Sequence, residues 1–431
     1  MKKSLRFVLL VLLLTIPFFT MSVSAQDSVS GDITFVFWEN STTARAGWEN
    51  RIEQFNMDFP DINVNLIGVP GEIWSDYLQG TATLIAGGET PDIIWVATEG
   101  VRFLVDLDLI LPLDDMIAAE SDALNDYVDD VAPALFDSFR VDGNLYFLPY
   151  SWNNMVIYYN KEMFDAAGLP YPADDWTREE FLQTAQALTE DRDGDGNNDQ
   201  FGFAGSGGGL FTTIPWILAN GTNIVTDDFC ATNLTDPQVI EAIQFNYDMT
   251  YEYEVAPAPG VLSDAGLQFI NGDVAMFGGG RWPIIQLFQE DFTNFDIALW
   301  PGNPEQTTIY GVDGFGIFRS SENVPAAWEF LKAMSSAEAQ EILVGTEDSP
   351  LGNIPSSRTV AAEISQFPPE NYEIFYGSLD GNVVLVPSPP RFNELESIFM
   401  RYYNQIMADE ISVEDAMNAA TTELSNIITC N

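Results

Sequence analysis

A chain of 431 residues with 46% apolar and 13% aromatic side chains can build two sizeable cores, so it reads as globular. Its 65 Asp+Glu against 16 Lys+Arg give a formal charge of −49, which makes nucleic acid and anionic membrane poor partners. Histidine is absent, which excludes Ser-His-Asp and Cys-His nucleophile systems, HExxH zinc sites and imidazole bases. Any cation must be held by oxygen, leaving calcium and magnesium as the reasonable metals.

Residues 1–25 differ from the rest: Lys2, Lys3 and Arg6 precede an apolar run from Phe7 to Phe19, and Val23-Ser24-Ala25 offers small residues for cleavage before Gln26. This predicts a secretory signal peptide, since the run is shorter than the roughly 20 residues of a membrane helix. No Cys lies near the cleavage site, which argues against a lipid-anchored form. Beyond the leader Lys161 and Lys332 are the only lysines. Acidity spread along the whole chain fits solvation in a salty or acidic habitat better than a surface for one cationic ligand.

From Gln26 onward strand-like and helical patterns alternate. Ile33 to Trp38 ("ITFVFW") predicts a buried strand, and Trp48, Ile52, Phe55 and Phe59 lie on one face of a helix from Arg45 to Phe59. Ile62 to Ile67 alternates as a second strand, Tyr77 to Ala86 is a helix before Gly87-Gly88, and "PDIIWV" (Pro91 to Val96) is a third strand. Such β-α-β order predicts a parallel sheet with helices on both faces and a ligand beyond the carboxyl ends of its strands. A second series starts near Tyr150, with a strand from Met155 to Asn160, a helix from Glu162 to Ala167 closed by Gly168, and a helix from Arg178 to Leu188 capped by Thr177. A helix from Pro237 to Tyr253 and strands at "DVAMFGG", "DIALWP" and "GFGIF" follow. With no long linker or internal repeat, two α/β lobes joined by crossing strands fit better than two independent domains.

Between the Arg178 helix and "FGFAG" lies "DRDGDGNNDQFGF". Asp191, Asp193, Asp195 and Asp199 stand at the first, third, fifth and ninth places of an EF-hand loop, Gly196 at the sixth and Asn197 at the seventh. The twelfth place is Gly202, not a bidentate Glu, so the match is partial. Bound calcium in a stabilising role and a solvated acidic turn are the two readings. Cys230 and Cys430, the only cysteines, are expected to form one disulfide in an exported chain, the alternative being two buried thiols.

The order of local motifs resembles the extracellular solute-binding proteins of ABC importers, the family that includes maltose-binding proteins and other sugar-binding relatives. The resemblance rests on "FNMDFPDINVNL", "IWSDYLQGTATLIAGGETPDIIWV" and "LPLDD", then on the block "GNLYFLPYSWNNMVIYYNKEMFDAAGLPYPADDWTREEFLQTAQALT". "FINGDVAMFGGGRW", "GVDGFGIF", "AAWEFLKAMSSAEAQEIL" and "GNIPSSRTV" continue it. It implies an α/β periplasmic-binding-protein fold: two lobes closing on a ligand by hinge motion, with an ABC permease as membrane partner. Segment order in the family places residues 26–148 and 312–356 in one lobe, and 149–311 and 357–431 in the other. A monomer carrying a mono- or oligosaccharide, needing no cofactor beyond the calcium weighed above, is the implied form.

Sugar sites pair flat aromatic surfaces with amide or charged hydrogen-bonding groups. Trp38, Glu39 and Asn40 leave the first strand at its carboxyl end and are therefore candidates. Trp282 follows Gly278-Gly279-Gly280-Arg281, where the resemblance implies a stacking aromatic. Trp152 and Asn153 follow the presumed lobe crossing, and Asp313 sits among glycines in "YGVDGFG"; hinge packing would use these three equally well. Arg281 and Arg391 could hold an anionic ligand group or sit in structural salt bridges. Trp48, Trp74, Trp176 and Trp328 read as packing residues, and Trp95, Trp216 and Trp300 stay open. The main rival is a secreted glycoside hydrolase working with a carboxylate pair about 5 to 9 Å apart; a calcium-dependent adhesion or scaffold protein is a third reading.

Overall fold

The computed structural model describes residues 29–429 except 206–208, 263, 304–305, 347–348, 351, 364–368 and 382. Strand β1 (Gly31–Trp38) opens the larger of two main sheets. Helix α1 (Thr42–Asp58) follows, with Trp48, Ile52 and Phe55 on its buried face as the spacing predicts. Strand β2 (Ile62–Val69), helix α2 (Trp74–Ala86) and strand β3 (Ile93–Ala97) complete a parallel unit in which both β2 and β3 pair with β1.

The next strands of this sheet pair antiparallel, where the β-α-β order predicts parallel strands. Strand β4 (Leu148–Asn154) enters it directly, and Met155 alone separates β4 from strand β5 (Val156–Asn160) of the second sheet. Strand β4 leaves the first lobe and a later strand, Thr308–Ile317, returns to it, so the two crossings run in opposite directions and pair antiparallel. The lobe boundary expected at residue 148 therefore lies inside a strand that stays with the first sheet to Asn154.

The second sheet is built on β5, flanked antiparallel by β6 (Met276–Gly279) and β7 (Phe295–Leu299). The segment expected as a strand at "FGFAG" makes only isolated parallel bridges, Phe201 with Val274 and Ala204 with Phe277. Helix α3 (Arg178–Ala187) starts at the expected cap: Thr177 accepts from the Glu180 amide while Glu180 accepts from the Thr177 amide, a reciprocal pair that satisfies two otherwise orphaned donors. Helix α4 (Pro237–Tyr251) packs on the same lobe.

The chain crosses back through strand β8 (Thr308–Ile317), which lies between β3 and β4 in the first sheet. Helix α5 (Val324–Ser335) covers that sheet, and β9 (Ile354–Pro355) extends it beside β4. A third crossing, β10 (Val383–Leu385), runs parallel to the first residues of β8. It leads to helices α6 (Phe392–Met407) and α7 (Val413–Leu424). Met155 and Ile309 bond backbone to backbone at 3.3 Å, and Val386 to Tyr310 at 2.9 Å, so the three crossings form one hydrogen-bonded junction. Few connections at a shared line are what a hinge between rigid bodies requires.

Cys230 is disulfide-bonded; Cys430 lies outside the described residues, as does the segment read as a signal peptide. Among the described residues no helix is long and apolar enough to cross a membrane.

Candidate functional site

The first lobe presents an aromatic surface at the carboxyl ends of β1 and β3. Trp38, the last residue of β1, anchors its indole N–H on the Gly71 carbonyl at 2.9 Å. Its ring lies 4.6 Å from that of Trp74, at the start of α2, and Trp74 lies 5.5 Å from Trp95 of β3. All three rings are half-buried, which leaves apolar faces for a flat solute. Trp95 then donates its indole N–H to Asp313 at 2.7 Å, linking this surface to the middle of β8.

Asp313 stands at a register shift in the pairing of β8 with β4. A bulge there re-aims the side chain. It forms because Gly314 has no side chain: a Cβ would lie 2.3 Å from the Leu148 carbonyl oxygen. Ser151 donates to both carboxylate oxygens of Asp313 at 2.7 and 2.8 Å, and burial pushes that carboxyl up to about 6 against these bonds and the charge of Arg51.

From Ser151 a polar chain runs into the second lobe. Asn353 donates to Ser151 at 3.0 Å, and Asn153 donates to Asn353 at 3.3 Å. The Arg281 amide donates to Asn153 at 3.0 Å, and its guanidinium donates to the Asn353 carbonyl at 2.5 Å. Arg281 is only 1% exposed, and burial lowers its pKa. Beside it Trp282 and Phe211, half-buried with ring centroids 6.3 Å apart, give the second lobe an aromatic surface of its own. Trp282 also borders a cavity of about 640 Å³ lined by Trp216, Trp300, Thr213 and Tyr403.

Two further carboxyls belong to this junction. Glu396 of α6 is 3% exposed, and it accepts from Leu210 in the second lobe at 2.9 Å and from Ser75 of α2 in the first at 3.3 Å. Gly209 lets it approach, because a Cβ there would lie 2.4 Å from Glu396 Oε1. Glu99, just past β3, is also 3% exposed; burial pushes it up to about 8, and the neighbouring Glu396 and Asp313 push in the same direction.

Of the sequence candidates, the structure brings together Trp38, Asn153, Arg281, Trp282 and Asp313. Glu39 is instead committed to Arg45 through two bonds of 2.6 and 3.0 Å, and Asn40 is exposed at the entry to α1. Trp152 is fully buried against Tyr376, so its ring packs the sheet and does not face the cleft. Arg391 pairs with Glu394 at the surface. Trp74, expected as packing, and Trp95, left open, join the aromatic surface. Glu99, Ser151, Asn353, Phe211 and Glu396 went unremarked in the sequence; the strand-end rule that selected Trp38 also selects Trp95 and Glu99.

The acidic loop lies apart from this junction, between α3 and Phe201. Carboxylate oxygens of Asp191, Asp193 and Asp195 lie within 4.8 Å of one another. Asp191 accepts from the amides of Gly194 and Gly196 at 2.7 and 2.9 Å, and Gly196 has the φ of +95° that the sixth place needs. The Gly196 bond is the largest cause of the lowered Asp191 pKa. Asp199 accepts from the amides of Arg192 and Asp193, and Asn197 turns its side-chain amide to Asp195. Three carboxylates on a loop already wrapped by its own amides fit a hard cation, with the twelfth-place ligand missing.

The family described as bacterial extracellular solute-binding protein matches residues 50–372. A binding protein of Brucella abortus is 25% identical over 317 residues, 71% of this chain and 72% of its own. An arabinooligosaccharide-binding protein of Halalkalibacterium halodurans is 22% identical over 59% of this chain and 55% of its own. Among solved structures, an ABC substrate-binding protein of Listeria monocytogenes in complex with cycloalternan superposes with a TM-score of 0.80 at 23% identity, covering 93% of this chain and 100% of the other. The two-lobed architecture is thus that of ABC substrate-binding proteins, and the chain belongs to the bacterial extracellular solute-binding proteins.

Proposed function

We propose that this protein captures an oligosaccharide between its lobes and delivers it to an ABC permease. The observation that carries this reading is that two aromatic surfaces, Trp38-Trp74-Trp95 in one lobe and Phe211-Trp282 in the other, are linked by a hydrogen-bonded chain of carboxyl, hydroxyl and amide groups from Asp313 through Ser151, Asn353 and Asn153 to Arg281. Pyranose rings offer apolar faces for such surfaces and hydroxyls for such a chain. The arabinooligosaccharide-binding and cycloalternan-bound relatives support the same ligand class. Closure about the three crossings excludes water and strengthens each buried polar contact. The chain works as an exported monomer, its first 25 residues serving as a cleavable leader.

In this reading the protein binds without turnover. A hydrolase needs one carboxyl free to protonate the leaving group and another free to attack or activate water. Asp313 and Glu396 direct their oxygens at protein donors, which leaves Glu99, among the described residues, as a free carboxyl without a second free one beside it to complete the pair. Calcium, held by Asp191, Asp193 and Asp195, stiffens the outer loop of the second lobe and takes no part in the cleft. The test is the melting midpoint of the chain from Gln26 to Asn431 across neutral mono-, di- and trisaccharides, with the sugar analysed afterwards. A rise with one class and intact sugar supports capture, because a ligand of the folded state stabilises it by mass action. Cleaved sugar overturns it in favour of the hydrolase, and no rise with any sugar removes carbohydrate from the account.

A further inference from the structure

Three buried carboxyl groups meet at the lobe junction, and among the described residues none of them takes part in an ion pair. They differ in what they already hold. Glu396 accepts from one backbone amide of each lobe, and both amides lie in the first turn of a helix, Ser75 in α2 and Leu210 in the short helix Leu210–Thr213. Asp313 accepts from Trp95 and Ser151. Glu99 Oε2 is buried and has no hydrogen-bond partner at all. A buried acceptor left without a donor is costly, and in a binding cleft the missing donor is most simply the solute's.

A metal ion is a poor substitute for that donor. Among the described residues the only three acids close enough to share an ion are Asp191, Asp193 and Asp195 of the outer loop. Of the nearby guanidinium groups, Arg281 donates to the Asn353 carbonyl, and Arg51 lies over the Trp48 ring at 4.8 Å with its Nε buried and unpaired. The helix-start amides that would attract an anion are held by Glu396.

We propose that Glu99, Glu396 and Asp313 act as a charge filter: the cleft refuses anionic solutes, such as uronic-acid oligosaccharides and sugar phosphates, and accepts neutral or amino sugars that place a hydroxyl or ammonium donor on Glu99 Oε2. The inference rests on the oligosaccharide reading and sharpens it. A carboxylate or phosphate on the ligand would be desolvated against three carboxyls faced by a single guanidinium, Arg51 beside Asp313, and refusing the wrong ligand through such a clash is a route to specificity.

The experiment uses the chain from Gln26 to Asn431 and three pools of di- to tetrasaccharides: neutral ones from starch, arabinan, mannan and cellulose, uronates from pectate and alginate, and amino sugars from deacetylated chitosan. The filter predicts a raised melting midpoint with the neutral or the amino pool and none with the uronates. At pH 9, above the value of about 8 to which burial pushes Glu99, its carboxylate is charged, and in Glu99→Gln the ratio of neutral or amino to uronate affinity falls about tenfold or more, the scale of one charged hydrogen bond. A purely structural role for Glu99 would weaken all pools alike, and Glu99→Asp, which keeps the charge, should retain the preference. A uronate response equal to the neutral one overturns the filter alone, as does an unchanged ratio in Glu99→Gln. Silence from all three pools overturns the oligosaccharide reading together with the filter.

Discussion

The cleft and the outer loop are both built on acidic side chains, and they treat them in opposite ways. In the cleft, burial raises Glu99, Asp313 and Glu396, because a carboxylate removed from water favours its neutral form. In the loop, Asp191 is lowered, because backbone amides converge on the charged form at a solvent-washed position. The same chemical group is thus held towards its neutral form at the lobe junction and towards its charged form in the loop. Among 65 acids, composition alone cannot separate the two.

The sharpest way to break this comparison is Glu99→Gln read as stability against pH. Glu99 is pushed up to about 8 and Asp313 to about 6, both above their ordinary values. Their contribution to stability is therefore complete below the unfolded pKa and is lost as pH rises through 6 and then 8. Glu99→Gln should melt higher than the parent at pH 9, by a few kcal/mol at most, with the difference gone near pH 5. Equal melting at both pH values would mean that Glu99 is not held in a desolvated site. Second in size is Trp282→Ala, which removes the second lobe's main aromatic face. It should weaken sugar binding by about 2 kcal/mol, roughly thirtyfold, in a calorimetric titration, with little change in melting of the free chain.

The loop supplies the smaller effects. Calcium at ten times its dissociation constant should stabilise the chain by about 1.4 kcal/mol, and Asp191→Asn should abolish that gain without touching sugar affinity. A calcium effect that survives Asp191→Asn would place the ion elsewhere. Smallest of all is Glu39→Gln: its pair with Arg45 is partly exposed, so a cost below about 1 kcal/mol and unchanged sugar affinity are expected. A loss of affinity there would return Glu39 to the binding surface.

Local pattern made much of the fold legible. Trp48, Ile52 and Phe55 on one helical face, the Thr177 cap and the Gly168 stop at φ +67° all appear where spacing and capping chemistry put them. Strand direction was less legible: the antiparallel placement of β4 and β8 follows from crossings between lobes, which no local pattern encodes. The cleft divides in the same way. Strand ends and glycine turns point to Trp38, Trp282 and Asp313, all of which the structure places at the lobe junction. Glu396 has no such signal, because it meets Ser75 from 321 residues away. Trp152 stays open between solute contact and hinge packing in the sequence, because alternation along a strand tells which side chains share a face and not which face meets the solute; the structure packs it against Tyr376.

The most direct test of the account is a crystal structure of the chain with the sugar that raises its melting midpoint most. The account predicts sugar between Trp38-Trp74-Trp95 and Phe211-Trp282, with a donor on Glu99 Oε2. Sugar bound instead in the outer groove of about 940 Å³ beside Arg178, Gln244 and Asn418, with the lobe junction unchanged, would contradict it.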